Sequence, residues 1–209
     1  MKIKICGLNP TRDVQTCIDL NVHFLGFVFY DKSPRNTDLK EISVLKRYNP
    51  KTSHYVSVCV DPTDAFIQEN ILGNFEYIQL HGSETIERVK EINKMGIKVI
   101  KAIKVKEQKD VALYKNYEDI ADLILFDSTS MEKSKSIPKD LLYKLPKGEK
   151  FGLAGAINLE NIKEYSQLGF NFLDLSSGLE KENLKGYKDH LKIKDFIKRV
   201  NKINENTSI

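Results

Sequence analysis

A thiol and a carboxylate each stand at the end of a strand-like run in this sequence. Cys6 ends the alternating run that begins at Met1, and Asp127 follows the apolar run that begins at Leu123. Two such side chains that face each other across one cavity can act as base and acid in a proton transfer. A useful base needs a lowered thiol pKa, which nearby lysines, an arginine or oriented backbone N–H groups can supply. Taken alone, Cys6 fits a buried structural thiol better, because free cysteine is often buried.

Two turns of small residues follow later strand-like runs. They are Gly155-Ala156 and Ser176-Ser177-Gly178. Small residues let backbone N–H groups approach an anion, and barrel enzymes often bind phosphate after their seventh and eighth strands. Glycine and serine also mark ordinary turns. Two such turns in the phosphate position favour the phosphate interpretation.

These side chains need elements that bring them together, and the sequence predicts those elements. Eight strand-like runs alternate with helical patterns at a spacing of roughly 25 residues, which is typical of a closed parallel barrel. The runs are Met1 to Cys6, Phe24 to Tyr30, His54 to Val60, Phe75 to Leu80, Ile97 to Ile103, Leu123 to Phe126, Phe151 to Ala154 and Phe172 to Leu175. The pattern predicts an α/β fold, a single (β/α)8 barrel domain over residues 1–209, with a frayed tail from about Asn204.

In such a barrel the loops that follow the strands share one face, so the residues at the strand ends are expected to converge. These residues are Cys6, His81, Asp127, Gly155 and Ser177. Side chains that are distant in sequence are therefore expected to form one candidate site.

Helical patterns fill the segments between the strands. Those with clear bounds are Arg12 to Asn21, Leu39 to Tyr48, Gln108 to Tyr117, Asn158 to Leu168 and Leu191 to Ile203. Asp61-Pro62 and Ser83 are predicted to begin two more helices, as a cap with a first-turn proline and as a cap before acidic residues. Cys17 falls on an apolar helix face and Cys59 inside the third strand, so we interpret both as structural thiols.

Composition excludes several classes of protein. The apolar run from Phe24 to Tyr30 is far shorter than the ~20 residues of a membrane-spanning helix, and no signal peptide opens the chain, so a cytoplasmic location is expected. The net charge of +4 is spread over lysines interleaved with acidic residues, which does not suggest nucleic-acid binding. Three cysteines without close spacing favour neither disulfides nor a metal site.

Motifs along nearly the whole chain resemble the phosphoribosylanthranilate isomerase family of tryptophan biosynthesis. They are Lys4-Ile-Cys6-Gly7-Leu8, Gly26-Phe27-Val28-Phe29 with Ser33-Pro34-Arg35, Gln79-Leu80-His81-Gly82, Lys101-Ala102-Ile103, Leu125-Phe126-Asp127-Ser128, Leu153-Ala154-Gly155 and Asp174-Leu-Ser-Ser-Gly178-Leu-Glu180, followed by Gly186-Tyr-Lys188-Asp189.

The resemblance implies an enzyme of aromatic amino-acid biosynthesis. Cys6 would be the general base, Asp127 the general acid, and Arg35 and His81 contacts to the substrate. The phosphate site would comprise Gly155, Ala156, Ser176, Ser177 and Gly178.

The implied reaction is the Amadori rearrangement of N-(5-phosphoribosyl)anthranilate, a small phosphorylated molecule, to 1-(2-carboxyphenylamino)-1-deoxyribulose 5-phosphate. It needs no metal or redox cofactor, because the substrate's own nitrogen stabilises the intermediate charge. The resemblance implies no nucleic-acid or membrane partner, and the chain would act as a monomer or a homodimer.

This sequence departs from the family pattern at two places. The segment from Ser128 to Ser136 lacks the glycine-rich run that follows the acid in the family, and we expect it to be an exposed, mobile loop. Ala156 replaces the second glycine after strand seven, and because alanine disfavours positive φ we expect a slightly re-shaped turn.

Two other functions compete with the isomerase. A phosphate-binding barrel without turnover, with a binding or regulatory role, is suggested by the altered loop, but the retention of Cys6 and Asp127 argues against it. A metal-dependent sugar-phosphate epimerase would need histidines and carboxylates clustered at strand ends. Of the four histidines, only His81 is predicted to lie at such an end.

Overall fold

A computed structural model, which describes residues 1–128 and 136–207, has eight parallel strands closed into one barrel. The strands are β1 (Lys2–Cys6), β2 (Phe24–Phe29), β3 (His54–Cys59), β4 (Tyr77–Leu80), β5 (Lys98–Val105), β6 (Leu123–Ser128), β7 (Gly148–Ala154) and β8 (Phe170–Leu175). Each strand pairs with the next along the chain, and β8 pairs with β1. The predicted (β/α)8 barrel is therefore confirmed.

Helices connect the strands on the outside of the barrel. The α-helices are α1 (Val14–Asp19), α2 (Asp64–Phe66), α3 (Ile86–Lys94), α4 (Lys139–Leu142), α5 (Ile162–Ser166) and α6 (His190–Thr207). Further helices of the 3-10 type lie at Leu39–Arg47, Gln108–Asn116 and Ser177–Leu179, and a π-helix at Ile67–Ile71 continues α2. Within the described residues, no helix combines the length and apolar character needed to cross a membrane.

The alternation of side chains along each strand divides the buried residues into two layers. On β1, Ile3 and Ile5 pack outward against the helices, in the larger core cluster. Cys6 packs with the smaller cluster inside the barrel, which includes Phe24 and Phe172. Because successive strand residues point to opposite faces, Lys4 shares the interior face with Cys6, and apolar rings close the barrel around this pair.

Two helices begin at threonines and not at the predicted caps. The side chains of Thr63 and Thr85 each accept a hydrogen bond from the backbone N–H three residues further on. The Asp61 carboxylate instead accepts from the backbone N–H of Ser83 at 2.8 Å. The predicted caps were wrong because Asp61 and Ser83 bond to each other across neighbouring loops.

Two predicted helix ends also differ from the structure. The helix predicted from Asn158 starts later, at α5, because the Asn158 side chain accepts from nearby backbone N–H groups and forms a turn there. The last helix runs to Thr207, past Asn204 where we expected fraying, and no glycine or proline interrupts it.

Other predictions have mixed outcomes. Cys17 and Cys59 are buried in the core, as predicted. The mobility predicted from Ser128 to Ser136 concerns residues 129–135, which lie outside the described residues.

A buried ion pair holds the loop that follows β4. The Glu84 carboxylate lies 2.6 Å from the Lys101 ammonium and accepts hydrogen bonds from the backbone N–H groups of Asp61 and Gly82. Burial raises the pKa of Glu84, but Lys101 and the backbone N–H groups of Asp61 and Glu84 outweigh burial and hold the pKa below its ordinary value. The pair therefore fixes the backbone immediately after His81.

Replacement of Glu84 by glutamine should destabilise the protein at neutral pH. We expect the free energy of unfolding to fall by about 1–3 kcal/mol, the scale of hydrogen bonds to charged groups. Because the folded-state pKa of Glu84 is depressed, its contribution is complete above the unfolded-state pKa of about 4.3 and is lost as pH falls below it. Urea unfolding should therefore show a difference in the free energy of unfolding between wild type and variant that disappears at acidic pH.

The exposed Glu91 on α3 offers a matched control. Its side chain is 63% exposed, so Glu91→Gln should leave stability nearly unchanged. If the free energy of unfolding of Glu84→Gln differed from that of the wild type by the same amount at neutral and acidic pH, the ionised carboxylate would contribute nothing to stability.

Candidate active site

Cys6 lies at the carboxyl end of β1, partly exposed at the mouth of the barrel. Two residues earlier, the fully buried Lys4 places its Nζ 2.8 Å from Oδ2 of Asp174 on β8. Burial lowers the pKa of Lys4, but the charges of Asp174 and Cys6 outweigh burial and raise that pKa above its ordinary value. The thiol therefore stands beside a charged ammonium inside the barrel.

The charges around Cys6 act in both directions on its acidity. Burial raises the pKa of Cys6 above its ordinary value, and Asp174 raises it further. Lys4, Lys188 and Arg35 each lower it, but they do not reverse the effect of burial. The lowered pKa that a useful base needs is therefore not present in the protein without ligand, although lysines and an arginine that can supply it are in place.

The candidate acid is held in a chain of three polar side chains. Nε2 of His81 lies 3.3 Å from Oδ2 of Asp127, and Nε2 of Gln79 lies 3.0 Å from Nδ1 of the same ring. With the Gln79 amide donating to Nδ1, a neutral His81 carries its proton on Nε2 and donates to Asp127. His81 therefore orients the carboxylate, in addition to the substrate contact predicted for it.

Arg35 lies in the loop after β2 and is held by Glu180. Its Nε and Nη2 donate to the two carboxylate oxygens of Glu180 at 2.6 and 3.2 Å. Lys188 lies 3.5 Å from the same carboxylate and donates to the carbonyl of Ser176 at 3.1 Å. Nη1 of Arg35, beside the barrel mouth, bonds to no residue in the part of the chain that the structure describes. The bonds to Glu180 connect Arg35 to the loop after β8.

The two small-residue turns lie against each other. A Cβ built on Gly178 would be 2.5 Å from the carbonyl oxygen of Ile157, so the turn after β8 packs directly on the backbone after β7. The backbone N–H groups of Ala156, Ser177 and Gly178 donate to no acceptor among the described residues. They are therefore free to bind an anion.

Alanine does not prevent positive φ in the turn after β7. Ala156 has φ of 51° and follows Gly155 at 107°, so the conformation that alanine disfavours is present. A left-handed backbone costs about 1–2 kcal/mol for a residue with a side chain. Nδ2 of Asn161 donates to the Ala156 carbonyl at 2.9 Å and helps to hold the turn.

The structure thus brings the predicted residues to one face of the barrel, and it adds residues for which we had predicted no role. They are Lys4, Gln79, Asp174, Glu180 and Lys188. All five are buried polar side chains inside or beside the barrel mouth. Oδ1 of Asp174 has no hydrogen-bond partner among the described residues, so it can accept from a ligand hydroxyl. Charged residues inside otherwise apolar strands were the signal for Lys4 and Asp174.

Comparison with known proteins identifies similar chains over nearly the whole sequence. Residues 3–199 match the family model described as N-(5'phosphoribosyl)anthranilate (PRA) isomerase. The N-(5'-phosphoribosyl)anthranilate isomerase of Aquifex aeolicus is 36% identical over 212 residues, which cover 96% of this chain and 98% of that protein.

Solved structures show the same likeness. Monomers generated from the dimeric phosphoribosylanthranilate isomerase of Thermotoga maritima superpose with a TM-score of 0.78 at 28% identity, covering 95% of this chain and 97% of that one. A phosphoribosylanthranilate isomerase in complex with reduced 1-(o-carboxyphenylamino)-1-deoxyribulose 5-phosphate gives a TM-score of 0.78 at 29% identity, with the same coverage of 95% and 97%.

Proposed function

Because this chain belongs to the N-(5'-phosphoribosyl)anthranilate isomerase family, it is an isomerase of tryptophan biosynthesis, and we propose that Cys6 and Asp127 carry out its proton transfers. One observation carries the assignment of these residues. A thiol flanked by the Lys4 ammonium and a carboxylate oriented by His81 lie at the carboxyl ends of strands in one closed barrel.

The proposed reaction begins with the acid. Asp127 gives a proton to the ring oxygen of the ribose, the bond between that oxygen and C1' breaks, and the nitrogen lone pair forms a Schiff base. The Cys6 thiolate then removes the proton from C2', and the electron pair of that C–H bond neutralises the iminium nitrogen. The enol that results becomes the ketone of the product when the C2' hydroxyl loses its proton and C1' takes one up. Two positioned proton-transfer groups suffice for this sequence.

The remaining residues hold the two ends of the substrate. The free backbone N–H groups of Ala156, Ser177 and Gly178 bind the phosphate. Nη1 of Arg35, which makes no bond to residues 1–128 or 136–207, contacts the anthranilate part. In this proposal the ribose lies between Cys6 and Asp127.

The direct test is turnover by the purified protein. Loss of phosphoribosylanthranilate, followed by its fluorescence, should accelerate on addition of enzyme without any added metal or cofactor. A protein that bound the substrate and did not convert it would be the phosphate-binding barrel without turnover, and the isomerase assignment would fail.

The proposal includes the setting in which the enzyme acts. The chain needs no cofactor, works in the cytoplasm and binds no nucleic acid. It acts as a monomer or a homodimer, and light scattering of the purified protein distinguishes the two.

The contact at Gly178 gives a test of the phosphate site. Gly178→Ala would place a methyl group 2.5 Å from the carbonyl oxygen of Ile157, which must push the two turns apart. We expect the KM to rise about 10-fold, the equivalent of one weakened charge-assisted hydrogen bond. The inhibition constant of inorganic phosphate should rise in parallel, whereas kcat should change less.

Gly73 provides the control for the site, because a Cβ there meets no atom within 4 Å; its φ of 78° makes alanine cost about 1–2 kcal/mol of stability without touching the two turns. Gly73→Ala should alter neither constant. If Gly178→Ala also left both constants at the wild-type value, the phosphate would have to bind elsewhere.

A further inference from the structure

Lys4 is a fully buried lysine that the reaction sequence above does not use. Its side chain projects from β1 into the barrel, two residues before Cys6 and on the same face of the strand. Its ammonium bonds to Oδ2 of Asp174 at 2.8 Å and interacts with the Cys6 thiol. A charge removed from water in this way is costly unless other charged groups compensate it.

The neighbouring strand leaves space for this ammonium. Gly26 on β2 lies opposite Cys6 in the register of the sheet. A Cβ at Gly26 would be 3.2 Å from Nζ of Lys4 and 3.1 Å from Cα of Cys6. Both contacts are tighter than ordinary packing, so the absence of a side chain at this position lets the ammonium lie beside the thiol.

We propose that Lys4 is a positioning residue that stabilises the thiolate of Cys6, and that Asp174 holds the Lys4 ammonium in place for this purpose. The inference rests on the proposed function, since a stabilised thiolate matters to the reaction only if Cys6 is the base. It assigns the buried ion pair a role in catalysis beyond closing the barrel.

Charged groups face the thiol from two strands and two loops. Lys4 approaches from β1, Asp174 from β8, and Arg35 and Lys188 from the loops after β2 and β8. Burial is the strongest influence on the pKa of Cys6 and raises it, and Lys4 opposes burial more strongly than either Lys188 or Arg35. Loss of Lys4 should therefore raise the pKa of the thiol more than loss of any other cation.

The experiment measures the thiol directly, by the pH dependence of alkylation with iodoacetamide under native conditions. In Lys4→Met the midpoint of alkylation at Cys6 should move up by roughly 1–3 pH units, the scale of an opposite charge at close range. Modification is assigned by mass spectrometry of the Cys6 peptide. Cys17 and Cys59 are buried, and burial raises the pKa of both thiols, that of Cys59 to about 12, so neither interferes.

Turnover gives a second readout that a merely structural lysine would not move. In Lys4→Met, kcat should fall at least ~10-fold at neutral pH while the KM stays within about 3-fold, and part of the loss should be recovered at alkaline pH, where the thiolate forms without help. Lys4→Gln keeps a donor for Asp174 and serves as the second variant if Lys4→Met does not fold.

Lys101→Met is the matched control, because Lys101 is also a buried lysine in an ion pair but packs against Glu84 on the outside of the barrel. In Lys101→Met, the pH midpoint of alkylation at Cys6 should equal that of the wild type. A midpoint in folded Lys4→Met or Lys4→Gln that also equalled the wild-type value would overturn the inference. Retained turnover in Cys6→Ser would instead refute the proposed base, so the two failures are distinguishable.

Discussion

Replacement of Cys6 by serine is expected to lower kcat by at least ~100-fold, the scale of general-base catalysis. Serine has a similar shape, but its hydroxyl gives up a proton far less readily than a thiol, so it is a poor base at neutral pH. Because the side chain is not a binding group for the phosphate or the aromatic ring, the KM should stay within about 3-fold of the wild-type value. Steady-state kinetics by substrate fluorescence measures both constants.

Cys17 supplies the control for this change. It lies in the core, fully buried, so Cys17→Ser places a hydroxyl among apolar side chains and should cost about 1–3 kcal/mol of stability. Its kcat should remain normal as long as the protein is folded. Near-normal turnover in Cys6→Ser would mean that another group removes the proton from C2'.

Replacement of Asp127 by asparagine should also lower kcat by at least ~100-fold, because an amide cannot give a proton to the ring oxygen. The amide still offers an oxygen to Nε2 of His81, which lies 3.3 Å from the carboxylate in the wild type. The fold and the orientation of the side chain should therefore be kept. The kcat of the variant and its pH–rate profile are the measurements.

Asp122 stands before the opposite end of the same strand and offers the control. Its Oδ2 accepts from the backbone N–H of Val99 at 2.8 Å, an acceptor role that an amide oxygen also fills. Asp122→Asn should turn over normally. If Asp127→Asn changed neither limb of the pH–rate profile, Asp127 would have no part in the proton transfers.

The barrel and the position of its acid and base were accessible from the sequence for a physical reason. Parallel strands covered on both faces appear as short apolar runs, and their regular alternation with helices restricts the fold to few topologies. Strand ends then place Cys6 and Asp127 at one mouth. The bounds differed where local bonds decide them, as at Thr63 and Thr85.

The partners of buried charges were not accessible in the same way. Lys2 and Lys4 alternate identically with isoleucine, yet Lys2 is exposed and Lys4 is buried. Because the two lysines point to the same face of β1, alternation does not distinguish them; Lys2 is the first residue of the strand and Lys4 lies deeper along it. Asp174 lies 170 residues from Lys4 along the chain, and only the register between β1 and β8 brings the two together.

The pairing of β1 with β8, which closes the barrel, makes catalysis depend on a late step of folding. Lys4 bonds to Asp174 there, and Oγ of Ser176 donates to the carbonyl of Cys6 at 3.1 Å, each across 170 residues of chain. Contacts so distant in sequence form slowly, because a long loop must close before they are made. A nascent chain on the ribosome, with its last strand unmade, has Lys4 without the Asp174 carboxylate that holds its ammonium. Recovery of turnover during refolding should therefore follow closure of the ring of strands and not the earlier formation of helices.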